Sequence, residues 1–216
     1  MPTILSTKNL IKHQEQLLLH AGINYVSYDA IRISFNENVD IPKKVGHAIV
    51  TSKNTWQAIK DKVAIKKAFV VGIKTTQLLQ ESGIEIIEST DYGKDLAQKI
   101  CEHHSGKEFH FFCGKQRREE MPTLLKKNNI SFTETQVYDT LPHPKKFAQE
   151  FDGILFFSPS GVKSFCAVND IKSATAFCIG TTTAKEAEKH TKNIIIANQP
   201  TIENVIVQVV KTYKYD

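Results

Sequence analysis

The chain has 216 residues, 41% of them hydrophobic and 24% charged, and a formal net charge of +5. That length can bury one large core or two small ones, and the mild basicity implies no nucleic acid, though it favours an acidic ligand over a basic one. No apolar run approaches the ~20 residues that cross a bilayer, and the cysteines, Cys101, Cys113, Cys166 and Cys178, form no CxxC pair, which fits a reducing cytoplasm better than a disulfide scaffold.

The N-terminus lacks a charged leader followed by an apolar block, and residues 3–6 predict the first strand, with Lys8 in the turn that follows it. A helical pattern leads to a second strand at 31–35 and then to a polar, proline-bearing stretch ending at Pro42. The strand predicted at 48–51 runs into the turn Thr51-Ser52-Lys53-Asn54, and the strand at 68–71 into Gly72-Ile73-Lys74-Thr75. Further strands follow at 84–87, 109–112 and 131–138, and a second polar stretch, Asp139-Thr140-Leu141-Pro142-His143-Pro144, separates them from the rest. The strand at 153–157 enters Ser158-Pro159-Ser160-Gly161, and the strand at 176–179 enters Gly180-Thr181-Thr182-Thr183. A last strand at 193–196 precedes a helix over 201–213, where Ile202, Val205, Ile206, Val209 and Val210 form one stripe.

Strand–helix alternation of this length predicts parallel α/β sheets with right-handed crossovers. An internal repeat divides them: Ser52 and Ser158 are 106 positions apart, and Gly72 and Gly180 are 108 apart. The expected organisation is two similar parallel-sheet α/β domains joined by a two-stranded linker, with a cleft between them. Residues 1–36 and 145–216 form a discontinuous domain, 41–138 an inserted one, and 37–40 and 139–144 the linkers.

Each of the four turns opens a helix, so each presents free backbone N–H groups and short hydroxyls at a helix N-terminus, which attract carboxylate or phosphate. The candidate anion-binding residues are therefore Ser52, Lys53, Asn54, Thr75, Ser158, Ser160, Gly161, Thr181 and Thr182, with Lys8 contributing charge. The plainer reading is that these hydroxyls only start helices: Thr183 and Glu186 match a capping box with Thr183 as the cap, and Ser160 and Thr201 are good caps. Repetition at equivalent places in both halves favours a shared binding role.

Other patterns carry less. Cys101, His103, His104, His110 and Cys113 match no standard zinc spacing, so no metal is expected. Arg117-Arg118-Glu119-Glu120 is expected to open a helix as a solvated surface. None of the four turns holds Asp, Glu or His, and no catalytic triad, GxGxxG or phosphate loop is present. Such a site binds and orients an anion, and any catalysis leans on positioning.

Five collinear motifs resemble the uroporphyrinogen-III synthase family. They are Phe112-Cys113-Gly114-Lys115-Gln116-Arg117-Arg118-Glu119 through Met121-Pro122, Val137-Tyr138-Asp139-Thr140, Phe156 through Val162, Ile179 through Ala184, and Ala197-Asn198-Gln199-Pro200-Thr201. The resemblance implies closure of hydroxymethylbilane, a linear tetrapyrrole bearing eight carboxylates, to uroporphyrinogen III. Water is lost and ring D inverted, through an azafulvene and a spiro-pyrrolenine, without metal or cofactor. It implies catalytic roles for Tyr138, as the tyrosine assisting hydroxyl departure, and for Thr183; Thr75 and Ser158 match family hydroxyls. The chain departs from the family with Thr7-Lys8-Asn9 in place of Thr-Arg-Pro, which loses the arginine fork. It departs again at Thr55-Trp56, where small apolar residues are usual.

The expected partner is a small-molecule polycarboxylate tetrapyrrole, with no nucleic acid and no membrane, and the chain is expected to be a cytoplasmic monomer. Two other readings remain open: a non-catalytic two-domain binder of an acidic small molecule, and a phosphosugar enzyme on a flavodoxin-like fold. The second would need a Glu or His in a strand-end turn.

Overall fold

In the computed structural model, residues 1–214 are described. The chain divides into two compact units, one formed by Met1–Arg32 with the chain from Leu141 onward, the other by Ile33–Thr140. Each is a mainly parallel sheet covered by helices.

The first unit contains β1 (Thr3–Ser6), α1 (Lys12–Leu19), β2 (Asn24–Ser27), then β9 (Gly153–Phe156), α6 (Pro159–Cys166), β10 (Thr175–Cys178), α7 (Thr181–Ala187), β11 (Ile194–Ile196) and α8 (Ile202–Tyr213). Its strands lie in the order β11-β10-β9-β1-β2, all parallel. The second unit holds β3 (Ile31–Phe35), β4 (Lys44–Val50), α2 (Lys53–Ile59), β5 (Ala64–Val71), α3 (Ile73–Glu81), β6 (Glu85–Thr90), α4 (Gly93–His103), β7 (Phe109–Gly114), α5 (Glu120–Lys127) and β8 (Phe132–Pro142). Its order is β3-β8-β7-β4-β5-β6, with β8, β7, β4, β5 and β6 parallel.

Both sheets are apolar on both faces, as a helix-covered parallel sheet requires. In the first, Leu5, Ile154, Phe156, Ala176 and Cys178 pack to one side, and Ile4, Leu155 and Phe177 to the other, beneath Val205, Ile206 and Val209 of α8. In the second, Ala48, Val50, Ala68, Val70 and Phe112 face α2 and α3, while Ile49, Phe69, Phe111 and Cys113 face α4 and α5. Fully burying each large side chain is worth about 1.5–3 kcal/mol, so these continuous apolar runs hold the strands central.

The repeat is a circular permutation. From β4 the second unit runs outward through β5 and β6, then returns to place β7 and β8 on the other side of β4. In the first unit the equivalent of β7-α5-β8 is β1-α1-β2, which comes first in the chain rather than last.

Several sequence expectations change. The strand–helix–strand unit at the N-terminus closes on β2, not on 31–35, which joins the other sheet. Asn24-Tyr25-Val26-Ser27 is a short edge strand without an apolar run, so its composition hides it. The stretch from 139, expected as part of the two-stranded linker, carries β8 on to Pro142. The helix after Arg117-Arg118 begins only at Glu120. Thr183 is not a cap: Gly180 is the N-cap of α7 and Thr183 lies in its first turn. Ser160 is likewise inside α6, capped by Ser158 with Pro159 behind it. Thr201 does cap α8, accepting from the Asn204 N–H at 3.1 Å.

Candidate functional site

In open parallel sheets, ligands sit beyond the carboxyl ends of the strands, where the strand order reverses. The reversal in the second unit lies between β4 and β7, and in the first between β9 and β1. Those two places are built by the Ser52 and Ser158 turns.

In the second unit, Ser52 caps α2 by accepting the Thr55 N–H at 3.1 Å. Its hydroxyl also lies 2.9 Å from Thr55 Oγ1 and 3.2 Å from the phenol of Tyr138. Tyr138 reaches it because the register of β7 and β8 slips: Cys113 pairs with Gln136, yet the next residue, Gly114, pairs with Tyr138. A bulge of this kind turns a side chain toward a strand end. The Lys115 N–H then holds the Tyr138 carbonyl at 2.9 Å. Gln116 ties the same loop to β8 by donating to the Asp139 carboxylate and accepting the Thr140 N–H at 3.0 Å. Beside the phenol a recess of about 530 Å³ is lined by Asn36, Asn38, Lys115, Gln136 and Asp139, among others.

The neighbouring turn of this unit follows β5. Gly72 adopts φ +89°, a left-handed conformation that glycine takes without a Cβ penalty, and caps α3. Its carbonyl accepts the N–H groups of Thr75 and Thr76, both at 3.0 Å. Thr75 is buried, while Lys53 stands exposed and Asn54 half-buried at the start of α2.

The first unit repeats the scheme. Ser158 caps α6 by accepting the Gly161 N–H at 3.1 Å. Across the reversal point, Thr7 donates its hydroxyl to the Leu155 carbonyl at 2.7 Å. Gly161 sits so close that a Cβ there would be 3.4 Å from Ser158 Oγ and 3.6 Å from Thr7 Oγ1. At α7, Thr183 donates its N–H to the Gly180 carbonyl at 3.1 Å and is 3% exposed. Thr181, Thr182 and Lys8 are exposed, and Ser160 is half-buried.

Within the first unit the structure thus gathers Ser158, Gly161 and Thr7, and within the second Ser52, Thr55 and Tyr138. Thr7, Thr55 and Gly114 are not singled out as site residues by the sequence reading. Thr55 has the one detectable signal, a hydroxyl three residues after Ser52 in a turn expected to open a helix. Arg117 is occupied by carboxylates, 2.6 Å from Glu119 and 2.8 Å from Glu134. The Cys/His group is dispersed. His104 Nε2 lies 3.3 Å from Glu88 and its Nδ1 3.1 Å from the Lys107 ammonium, His110 sits between Thr135 and Thr133, and burial pushes the Cys113 thiol up to about 12. Among the described residues no cluster of three or more His, Cys, Asp or Glu could hold a metal ion, and no helix is long and apolar enough to cross a membrane.

This arrangement offers helix N-termini, neutral hydroxyls and one phenol. It can bind carboxylates through N–H groups and supply one weak proton donor.

The sequence profile of a family described as uroporphyrinogen-III synthase HemD matches residues 14–206. A porphyrin biosynthesis protein HemD of Ruminiclostridium josui is 27% identical over 85% of this chain and 42% of its own length. An uncharacterized protein of Rickettsia prowazekii is 24% identical over 82% of this chain and 65% of its own. The chain therefore spans less than two thirds of the length of these relatives. Among solved structures, uroporphyrinogen-III synthetase of Helicobacter pylori superposes with a TM-score of 0.73 at 17% identity, covering 98% of this chain and 100% of that one. A mutant uroporphyrinogen III synthase of Thermus thermophilus gives 0.65 at 14% identity, covering 98% of each. These likenesses show the two-unit α/β fold.

Proposed function

Because the chain belongs to the uroporphyrinogen-III synthase family, we propose that it cyclises hydroxymethylbilane to uroporphyrinogen III with inversion of ring D. The observation that carries this reading is the Tyr138 phenol, turned by the β7–β8 bulge toward the carboxyl ends of the strands and 3.2 Å from Ser52.

The hydroxyl bound to the terminal CH₂ leaves as water, taking a proton from the Tyr138 phenol. The pyrrole nitrogen's electron pair drives its departure and generates the azafulvene. The substituted α-carbon of ring D attacks that CH₂ to form the spiro-pyrrolenine. Its older bond, to the methylene of ring C, then breaks and leaves an azafulvene there. The free α-carbon of the inverted ring D closes on that methylene, and the proton lost from this carbon returns to the phenolate. No metal or cofactor enters this chemistry. General-acid help of this kind is worth typically ~10²–10⁴ in rate.

The substrate's carboxylates are met by N–H groups and hydroxyls. In the second unit these come from Lys53, Asn54 and Thr75, with Ser52 shaping the turn. In the first they come from Ser158, Ser160, Thr181 and Thr182, with Gly161, its own N–H held by Ser158, leaving room beside them and Lys8 adding a charge. Thr183 follows Gly180 as Thr75 follows Gly72, and we place it with Tyr138 among the residues contacting the reacting end. Four cysteines without a disulfide support a reducing, cytoplasmic setting, and a monomer is the working unit of this proposal.

The test is to generate hydroxymethylbilane in situ with the protein present and to separate the oxidised uroporphyrin isomers. Diversion from isomer I to isomer III, unaffected by chelator, is the expected result. An unchanged isomer ratio would leave the protein a binder of acidic small molecules.

A further inference from the structure

Gly114 has no unusual backbone: its φ is not positive, so conformation alone would admit alanine. What excludes a side chain is Tyr138. A Cβ built on Gly114 would lie 2.5 Å from Cζ, 2.8 Å from Cε2 and 2.9 Å from the hydroxyl of that ring. Carbon atoms do not approach so closely, so a methyl group at 114 must displace the phenol end of the ring or the strand beneath it. Gly114 is also where the β7–β8 register slips, and its neighbour Lys115 holds the Tyr138 carbonyl. The backbone of β8 is thus pinned against β7, and the phenol end of the ring occupies the space a Cβ at Gly114 would take.

The position enforced is one where the phenol meets Ser52, whose proton has limited choices. Ser52 Oγ already accepts the Thr55 N–H, and its two hydroxyl neighbours are Thr55 at 2.9 Å and Tyr138 at 3.2 Å. A hydroxyl carries one proton. When the Thr55 hydroxyl donates to Ser52, Ser52 donates to the phenol oxygen, and the phenol's own proton points away from the protein. When the chain reverses, the phenol proton is spent on Ser52. Only the first arrangement offers a donor to a ligand, and it also supplies a hydrogen bond to the phenol oxygen as its proton departs.

We propose that Gly114 is a positioning residue for Tyr138: its missing Cβ lets the phenol reach Ser52, and Ser52, backed by Thr55, directs the phenol proton outward. The proposal deepens the synthase reading and rests on it for its kinetic arm.

The experiment combines single and double variants. Gly114→Ala lowers kcat by about as much as Tyr138→Phe, within the ~10²–10⁴ expected of general-acid help, with KM held within about twofold. In the Tyr138→Phe background Gly114→Ala costs nothing further, because no proton remains to be misplaced. Ser52→Ala lowers kcat by about tenfold, again without effect in that background, and Ser52→Thr, which keeps both cap and hydroxyl, restores it. Multiplying losses in the double variants, a loss confined to KM, or full kcat in Gly114→Ala would overturn the proposal. If Gly114→Ala fails to fold, the Ser52 pair decides by itself.

A second arm needs no substrate. The Tyr138 ring resonances, identified by their loss in Tyr138→Phe, shift in Gly114→Ala. Unmoved resonances in a folded Gly114→Ala protein would refute the positioning role. A wild type that leaves the isomer ratio unchanged would instead refute the synthase reading, and the resonance arm would stand apart from it.

Discussion

Thr75 and Thr183 occupy the same place in their respective units. Each is the third residue of a helix capped by glycine, each donates its N–H to that glycine's carbonyl, at 3.0 and 3.1 Å, and each is buried. Their surroundings differ, because Gly72 is left-handed and 3.9 Å from Thr75 Oγ1 by its notional Cβ, whereas the Gly180 backbone is extended with open space there. Valine at either site keeps the shape and removes the hydroxyl. Losing one donor costs about 1–3 kcal/mol, so Thr183→Val is expected to lower kcat/KM by about 5- to 150-fold, with Thr75→Val weaker. Equal effects, measured at matched folding stability, would show that the turns are interchangeable.

Among hydroxyl deletions, Tyr138→Phe is expected to be the most damaging, by ~10²–10⁴ in kcat, without abolishing formation of isomer III. The donors at the Ser158 and Gly180 turns are untouched by it. Single-turnover measurements of isomer yield check this, and a Tyr138→Phe protein with full kcat would remove the phenol from the chemistry.

Gly153 is the counterpart to Gly114 at the opposite end of a strand. A Cβ there would meet Phe177 Cε2 at 2.7 Å and Ile4 Cδ1 at 3.0 Å, both fully buried side chains. Overpacking of this kind costs about 1–3 kcal/mol. Gly153→Ala should lower the urea midpoint and leave kcat as it was, since β9 begins at Gly153 and delivers Ser158 at its far end.

Burial holds the imidazoles of His110 and His47 below the ordinary value of 6.5. His47 feels Lys107, Lys67 and His104 as well. A proton therefore binds the unfolded chain more readily than the folded one. The stability these groups allow is complete above the unfolded value and falls as pH drops through it toward the depressed folded values. Denaturation midpoints measured from pH 8 to pH 5 should decline for the wild type and decline less for His110→Gln, which can keep bonds to Thr133 and Thr135.

Burial pushes the thiols of Cys113 and Cys178 up to about 12 and that of Cys166 to about 11. Thiolates are the reactive species, so an aromatic disulfide reagent at pH 8 should modify Cys113 and Cys178 only after denaturant is added. Rapid reaction of either in the native protein would mean that the β7 or β10 end opens locally.

The sequence by itself determined the layers and the turns that open the helices, but not which residue caps each one. Runs such as Ile154-Leu155-Phe156 can be satisfied only between two covered faces, and Ser52, Ser158 and Thr201 cap because their hydroxyls accept an N–H three residues on. These are local effects, readable within a few residues. The edge strand β2 escaped for the same reason: its place comes from pairing with β1, not from its own composition. Only the tertiary structure decided which strands adjoin, and hence that one half is a permuted copy of the other with its order reversing beside Ser52 and Ser158. It alone joined Ser52 to Tyr138 across 86 residues and set the Tyr138 ring on Gly114. Those contacts depend on a one-residue slip between β7 and β8, and register is fixed by the packing of whole sheet faces rather than by any short motif.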